Sequence, residues 1–286
     1  MNDFEFHTPG TIQEAAAALA QYNGNSKLMA GGTSLMLLLK QSLVNPDHII
    51  SLHRIPGVDT IEHSDGVLRI GGLALMRDVE KSDLVKQHAP LLANAYSRVA
   101  TVRIRNSATV GGGLAQADPA MDPPPSLLIL GASVKLVSAK GERVVPISDW
   151  YIDYYETAIE PDEIVTELQV PTQPANTNWI YTKYLPRTED DYATVSVAAM
   201  GRVEGGKIVD VRVGLGAVAP TALRATVVED ALRGVEATPA ALREASQAVA
   251  GIVDPTADPR GSAEYKRDMS VVFTRRALEQ VLGVTG

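Results

Sequence analysis

The sequence predicts an α+β fold, with strands and helices mixed but without the steady strand–helix alternation of a doubly wound sheet. Three observations carry this. The first fifty residues read as helix, strand, loop, helix, strand. Hairpin-like runs turned at glycine follow, at Asp65-Gly66 and around Gly141. A block of long strands after Pro171–Asn178 then gives way to three closing helices.

Taken in order, Thr11-Ile12-Gln13-Glu14 is a capping-box pattern opening an alanine-rich helix to Tyr22, with Asn23-Gly24 as its stop. Lys27–Met29 is a short strand, Ser34–Leu43 a buried helix ended by Asn45-Pro46, and His48–Leu52 a second strand. Thr60–Ala74 is a hairpin. Helices follow from about Arg77 and through Pro90–Ala100. A glycine-rich loop, TVGGGLAQADPAMDPPP, then runs from Thr109 to three prolines, with a helix over Ser126–Leu130. Val134–Val137 and Arg143–Ile147 are strands. Pro171–Asn178, polar and without periodicity, is the linker. Beyond it come strands at Trp179–Leu185, Thr194–Val203 and Ile208–Val218. Met269, Phe273, Ala277 and Val281 make a four-residue-spaced stripe on the last helix, the pattern of core packing.

Bulk properties exclude several functions. The 286 residues have the composition of an ordinary globular protein, 45% hydrophobic and 21% charged. A net charge of −8 argues against nucleic acid as a partner. No apolar run approaches the roughly 18 residues of a membrane span. MNDFEFHTPG lacks the basic and apolar regions of a signal peptide, so a cytoplasmic location is expected. With no cysteine, the chain holds no disulfide, thiolate nucleophile or cysteine-ligated cluster. Its five histidines are scattered and show no metal-ligand spacing, which leaves an all-histidine and carboxylate metal site open but points to none, and no metal is assigned. Redox chemistry would need an organic cofactor.

Two loops invite a phosphate reading. In AGGTSL, Ala30–Leu35, glycines let backbone N–H groups turn inward, and Thr33 and Ser34 add hydroxyls ahead of a helix. TVGGG, from Thr109, repeats the theme. Each alone reads equally as a tight turn or a close backbone contact. Together they suit the two phosphates of a dinucleotide. A P-loop is absent. The match to a dinucleotide fingerprint at Gly214-Leu-Gly216-Ala-Val-Ala219 runs straight into Pro220 and reads as a strand end with glycines used for packing. Asp118 and Asp122 follow the second loop, where they form turns or accept hydrogen bonds from hydroxyls. Glu189-Asp190-Asp191 lies beside Tyr192, with Lys183, Arg187, Tyr181 and Tyr184 nearby, a set that suits a planar electron-poor ring or an exposed strand face. Arg103 and Arg105 either neutralise phosphate or are solvated. No hydrolase constellation appears, and no residue is assigned a catalytic role.

The loops, with RNSATVGGGLAQADPAMD, EIVTELQVP, YTKYLPRTEDDYATVSVAA and GAVAPTALRA in the same order, resemble the FAD-binding medium subunit of molybdenum-containing hydroxylases, the family of xanthine dehydrogenase and aerobic carbon monoxide dehydrogenase. The resemblance covers essentially the whole chain. It implies a vanillyl-alcohol-oxidase-like FAD-binding domain at 1–175, in subdomains of about 1–53 and 54–175, and a C-terminal α+β domain at 176–286. It implies non-covalent FAD, its pyrophosphate held by backbone N–H groups of Leu28, Met29, Ala30, Gly31, Gly32, Thr33, Ser34 and Leu35, and of Thr109, Gly111, Gly112 and Gly113. Thr101 and Ala117 are further contacts. Asp122 lies on the flavin side, Val165 offers a backbone group to the ring, and Lys183 and Tyr192 lie by the isoalloxazine. Relatives usually carry Asn or Asp where this chain has Gly113, so one side-chain hydrogen bond is missing there.

The resemblance also implies partners: a large molybdopterin-binding subunit and a small subunit with two [2Fe–2S] clusters, assembled as a dimer of heterotrimers. Electrons would pass from those clusters through FAD to an external acceptor. A self-contained FAD-dependent reductase on a related fold is the rival reading, but no Ser/Glu proton donor is evident. A nucleotide-sensing module without redox function is a third.

Overall fold

The computed structural model describes residues 3–22, 24–185, 187–188 and 190–284. Asn23 of the expected helix stop and Glu189 of the acidic run lie outside them. The fold is α+β, with each strand-rich block built differently.

Near the N-terminus, β1 (Glu5–His7) precedes α1 (Ile12–Tyr22), β2 (Ser26–Met29), α2 (Leu35–Lys40) and β3 (His48–Ser51). Strand β1 has no apolar alternation to announce it; it exists because it pairs in parallel with β3. Thr11 accepts from the Glu14 N–H at 3.1 Å, and Glu14 reaches back to the Gly10 N–H at 2.7 Å, so α1 has its capping interactions. The helix expected over Ser34–Leu43 is shorter, stopping at Lys40 before Ser42 turns left-handed.

The hairpin β4 (Ile61–Ser64) and β5 (Val67–Gly71) turns at Asp65 and Gly66, both at positive φ. The single helix expected from Arg77 is two, α3 (Met76–Lys81) and α4 (Asp83–His88), followed by α5 (Pro90–Ser97) and the one-turn α6 (Val102–Arg105). The expected glycine loop is largely helical: α7 spans Val110–Gln116, and α8 spans Pro123–Leu130. The three prolines therefore open a helix. In the first turn their missing N–H groups cost nothing and their φ is already helical.

Then come β6 (Ser133–Ser138), β7 (Gly141–Pro146), the small pair β8 (Tyr151–Asp153) and β9 (Glu156–Thr157), and β10 (Ile164–Pro171). Next are β11 (Asn178–Tyr184), β12 (Val195–Glu204), β13 (Lys207–Gly216) and β14 (Leu223–Arg224). Helices α9 (Thr226–Leu232), α10 (Pro239–Gln247) and α11 (Ala263–Leu282) close the chain.

These elements form two compact units that interleave along the sequence. The first comprises residues 1–85, 101–117 and 132–171. It holds a parallel three-stranded sheet of order β1-β3-β2 and an antiparallel five-stranded sheet of order β4-β5-β10-β6-β7. Ala15, Ala16 and Leu19 of α1 pack with Ile50, Leu52, Ile55 and Ile164 as a buried cluster.

The second unit comprises 86–100, 118–131 and 172–286. Its antiparallel sheet, β11-β12-β13-β14, buries Val195, Val197, Val213 and Leu215 against α9, α10 and α11. Ala277 and Val281 are buried there and Met269 and Phe273 are partly buried, so the stripe on α11 is core. Each such buried aliphatic side chain contributes about 1.5–3 kcal/mol. Gly214 and Gly216 end β13 against α8: a Cβ on Gly214 would lie 2.3 Å from the Pro125 carbonyl oxygen, and one on Gly216 2.7 Å from Pro125 Cγ. Packing, not a fingerprint, explains both glycines.

Candidate functional site

In the first unit, AGGTSL leaves the carboxyl end of β2, where parallel strands of α/β sheets characteristically present ligand-binding loops. Gly32 has φ +70, a left-handed conformation that glycine adopts without strain. Gly31 is glycine for another reason. A Cβ there would sit 1.9 Å from the Ser107 carbonyl oxygen, and the Ser107 hydroxyl donates to the Gly31 carbonyl at 3.0 Å. The segment before α7 thus braces the loop from behind.

The loop's donors are the notable feature. The N–H groups of Gly31, Gly32, Thr33, Ser34 and Leu35 donate to no acceptor among the described residues, and neither do the Thr33 and Ser34 hydroxyls. Ser34 stands at the N-cap of α2 yet makes no side-chain cap bond. Five consecutive main-chain donors and two hydroxyls in a half-buried loop are free to meet water or an acceptor-rich ligand.

The second loop behaves differently. Thr109 caps α7 through Oγ1, which accepts from the Gly112 N–H at 3.1 Å. Val110 donates to the Ala74 carbonyl, Gly111 to that of Gly72 and Gly113 to that of Thr109. Its first-turn N–H groups are all engaged inside the protein. Its glycines serve close packing: a Cβ on Gly111 would meet the Gly72 carbonyl oxygen at 2.8 Å, and one on Gly72 would meet that of Val165 at 2.3 Å. Three backbones thus stack without side chains between them. Val165 belongs to this stack, just before the β-bulge in β10. A Cβ on the exposed Gly112 would lie 4.0 Å from the Ala30 side chain, so the two glycine loops adjoin.

Thr101 caps α6, accepting from the Ile104 N–H at 3.3 Å, and Ala117 closes α7 in the left-handed region. Arg105 is buried and paired with Glu80 at 2.8 Å. Burial raises the Glu80 pKa, but hydrogen bonds from Arg77 and Arg105 overcome it and hold the carboxyl below its ordinary value. Arg105 is therefore a structural cation.

In the second unit, Asp122 is 4% exposed at the start of α8. Its carboxylate accepts from the Tyr181 hydroxyl at 2.6 Å and from Lys183 Nζ at 3.0 Å. Tyr181 and Lys183 alternate along β11 and so share one face of the sheet. Lys183 also donates to the Arg98 carbonyl at 2.8 Å. Burial pushes the Asp122 carboxyl up to about 6, against the pull of Lys183 and Tyr181. Burial and the facing carboxylate likewise drive the Tyr181 phenol well above its ordinary value. Tyr192 is half exposed, with the Arg260 guanidinium 5.7 Å from its ring centroid. Asp118 accepts from the Ala120 N–H at 2.9 Å and shapes the turn there.

The structure thus unites Asp122 with Lys183 and gathers the two glycine loops in the first unit. Ser107 and Gly72 were not singled out from sequence, and Tyr181 was placed with Lys183 but not with Asp122. Tyr181 stands two residues before Lys183 in strand register, a legible signal; Ser107 and Gly72 act through backbone contacts and leave none.

An acceptor-only diphosphate matches the donor set of the first loop, so these residues fit an FAD pyrophosphate. Residues 2–173 match the family described as FAD binding domain in molybdopterin dehydrogenase, and residues 180–281 match the CO dehydrogenase flavoprotein C-terminal domain. The chain belongs to this family of FAD-binding oxidoreductase subunits. It is similar to the carbon monoxide dehydrogenase medium chain of Hydrogenophaga pseudoflava, 35% identical with 96% of each chain covered. It is also similar to the glyceraldehyde dehydrogenase medium chain of Sulfolobus acidocaldarius, 31% identical over 98% of each. Among solved structures, a carbon monoxide dehydrogenase from Hydrogenophaga pseudoflava lacking the Mo-pyranopterin moiety superposes with a TM-score of 0.94. The identity there is 36%, over 98% of this chain and 97% of that one.

Proposed function

We propose that this chain is the electron-transfer subunit of a three-subunit molybdenum hydroxylase, passing electrons from [2Fe–2S] clusters on a small partner through FAD to an external acceptor. The observation that carries the cofactor reading is the run of five unpartnered main-chain donors, Gly31 to Leu35. FAD, when bound, supplies the redox chemistry, and the protein supplies binding and orientation. Leu28, Met29 and Ala30 fix the end of β2 from which the donors of Gly31–Leu35 meet the diphosphate. Thr109, Gly111, Gly112 and Gly113 form the adjoining wall, acting through shape because their N–H groups are already bonded. Ala117 ends α7, Thr101 caps the preceding α6, and Val165 supports the wall from β10. In the second unit, Asp122, Lys183 and Tyr192 serve the flavin ring, with Asp122 neutralised by Lys183 so that no buried charge stands uncompensated. Residues 1–175 and 176–286 are the FAD-binding and C-terminal domains of that subunit.

The large partner carries the molybdopterin centre and chooses the substrate. The relatives' names fit this division, one being for carbon monoxide and another for glyceraldehyde. A chain without cysteine leaves cysteine-ligated clusters to another subunit. The assembly is a dimer of heterotrimers in the cytoplasm; no helix among the described residues is long and apolar enough to cross a membrane.

Purifying the tag-free chain and titrating it with FAD tests the cofactor, with one FAD per chain expected. A folded chain that takes up no FAD, alone or with its partners, would overturn the reading. Co-expression with large- and small-subunit genes of this enzyme class from the same organism tests the assembly; mass measurement showing no association would refute that part.

A further inference from the structure

The sequence gives no reason to expect a metal, since its histidines lie far apart. The parallel pairing of β1 with β3 changes that. Glu5 is in register with His48, and His7 follows two residues on, so three side chains from two strands share one face. His7 Nε2 and His48 Nδ1 are 3.2 Å apart, across 41 residues of sequence. A Glu5 carboxylate oxygen lies 3.8 Å from the first and 3.4 Å from the second.

These separations are those of a ligand set. A circle through three atoms so spaced has a radius of about 2.0 Å, so an ion about 0.7 Å above their plane lies about 2.1 Å from each. That is the distance and pyramidal height of three ligands on a tetrahedral zinc ion, with a fourth position open. The rings are held in place. Tyr22 of α1 stacks on His48 with centroids 3.7 Å apart and lies 4.9 Å from the His7 ring. Ser26, the β2 neighbour in register with His48, buries a hydroxyl that has no partner among the described residues, leaving a polar atom for outer-shell duty.

We propose that Glu5, His7 and His48 bind a borderline divalent metal ion of the zinc type. Two imidazoles and one carboxylate suit zinc, cobalt or nickel better than calcium or magnesium. The ion clips the three-residue β1 onto β3 and closes the chain between residues 5 and 48. The site lies at the amino ends of the parallel strands, and AGGTSL leaves the opposite end of β2. Its failure would therefore leave the cofactor reading untouched.

The test uses the tag-free full chain, stripped with EDTA and titrated with Zn2+ by calorimetry, with Co2+ absorption as a probe of coordination. One Zn2+ per chain is expected, with a tetrahedral Co2+ spectrum and a melting temperature raised by Zn2+. His7→Gln and His48→Gln each weaken binding more than about tenfold and abolish the Co2+ bands, whereas His53→Gln does neither. Should a histidine variant fail to fold, Glu5→Gln at its exposed position gives the same comparison, with weaker binding expected. Zn2+ binding that is absent from the wild type, or equal in the wild type and Glu5→Gln, overturns the proposal.

Discussion

Replacing Gly31 by alanine is the sharpest probe of the glycine loop. The added methyl would start 1.9 Å from the Ser107 carbonyl oxygen and 2.8 Å from its carbon, both backbone atoms. Reaching the 3.4 Å of ordinary contact requires a displacement of about 1.5 Å, which no side-chain rotation supplies. The loop moves, the Ser107–Gly31 hydrogen bond breaks, and the donors shift from their places. Hydrogen bonds to a charged acceptor contribute about 1.5–3 kcal/mol each, so misaligning two of the five costs about 3–6 kcal/mol of binding. That is roughly a 10²- to 10⁴-fold rise in Kd for FAD. The assay is flavin titration of the folded variant, checked by circular dichroism. Gly251→Ala, where a Cβ meets nothing within 4 Å, is the control. A folded Gly31→Ala protein binding FAD within about threefold of wild type would refute the account of the loop. Gly32→Val is a second probe with a different cause, since its Cβ meets only Met29 and Met36 side chains at 3.5 Å and the penalty comes from φ +70.

Other expectations concern the buried polar cluster and the glycines of β13. Lys183→Met strands Asp122 without its cation and costs about 3–5 kcal/mol in urea unfolding, much of it recovered in Asp122→Asn/Lys183→Met. Because burial raises Asp122 from 3.8 to about 6, the folded state holds a proton there that the unfolded chain has lost. Its contribution therefore falls as pH rises from 4 to 6, by at most about 3 kcal/mol, and the slope disappears in Asp122→Asn. Gly214→Ala drives a methyl into the Pro125 carbonyl and lowers stability by about 1–3 kcal/mol, seen as a lower melting temperature.

What the sequence revealed followed local chemistry. The capping box of α1, the Asp65-Gly66 turn, the three long strands of the second unit and the stripe on α11 are written in short-range patterns, and the structure has them. What stayed hidden depends on distant partners. Strand β1 is created by β3, and the triple glycine enters a helix because Thr109 caps it and Gly72 and Ala74 accept its N–H groups. The same holds for the clusters. Lys183 and Asp122 were legible as candidates, but their mutual neutralisation is made by the fold across a sequence separation of 61. His7 and His48 looked unrelated until two strands ran side by side.

The interleaving of the two units has a consequence for how the chain is made. The first unit lacks a strand of its larger sheet until residue 171 has emerged, and the second needs everything from residue 172 onward. Helix α8, whose every residue is buried in the finished fold, is synthesised long before the strands β12 and β13 that cover it. At ribosomal speeds of about 5–20 residues per second, the 86 residues from position 131 to the end of β13 at 216 take roughly 4–17 s. For that interval PPPSLLIL is an uncovered apolar segment on a nascent chain. Cutting the chain at residue 171 leaves α8 without its cover for good, so that fragment is expected to aggregate where the whole chain does not.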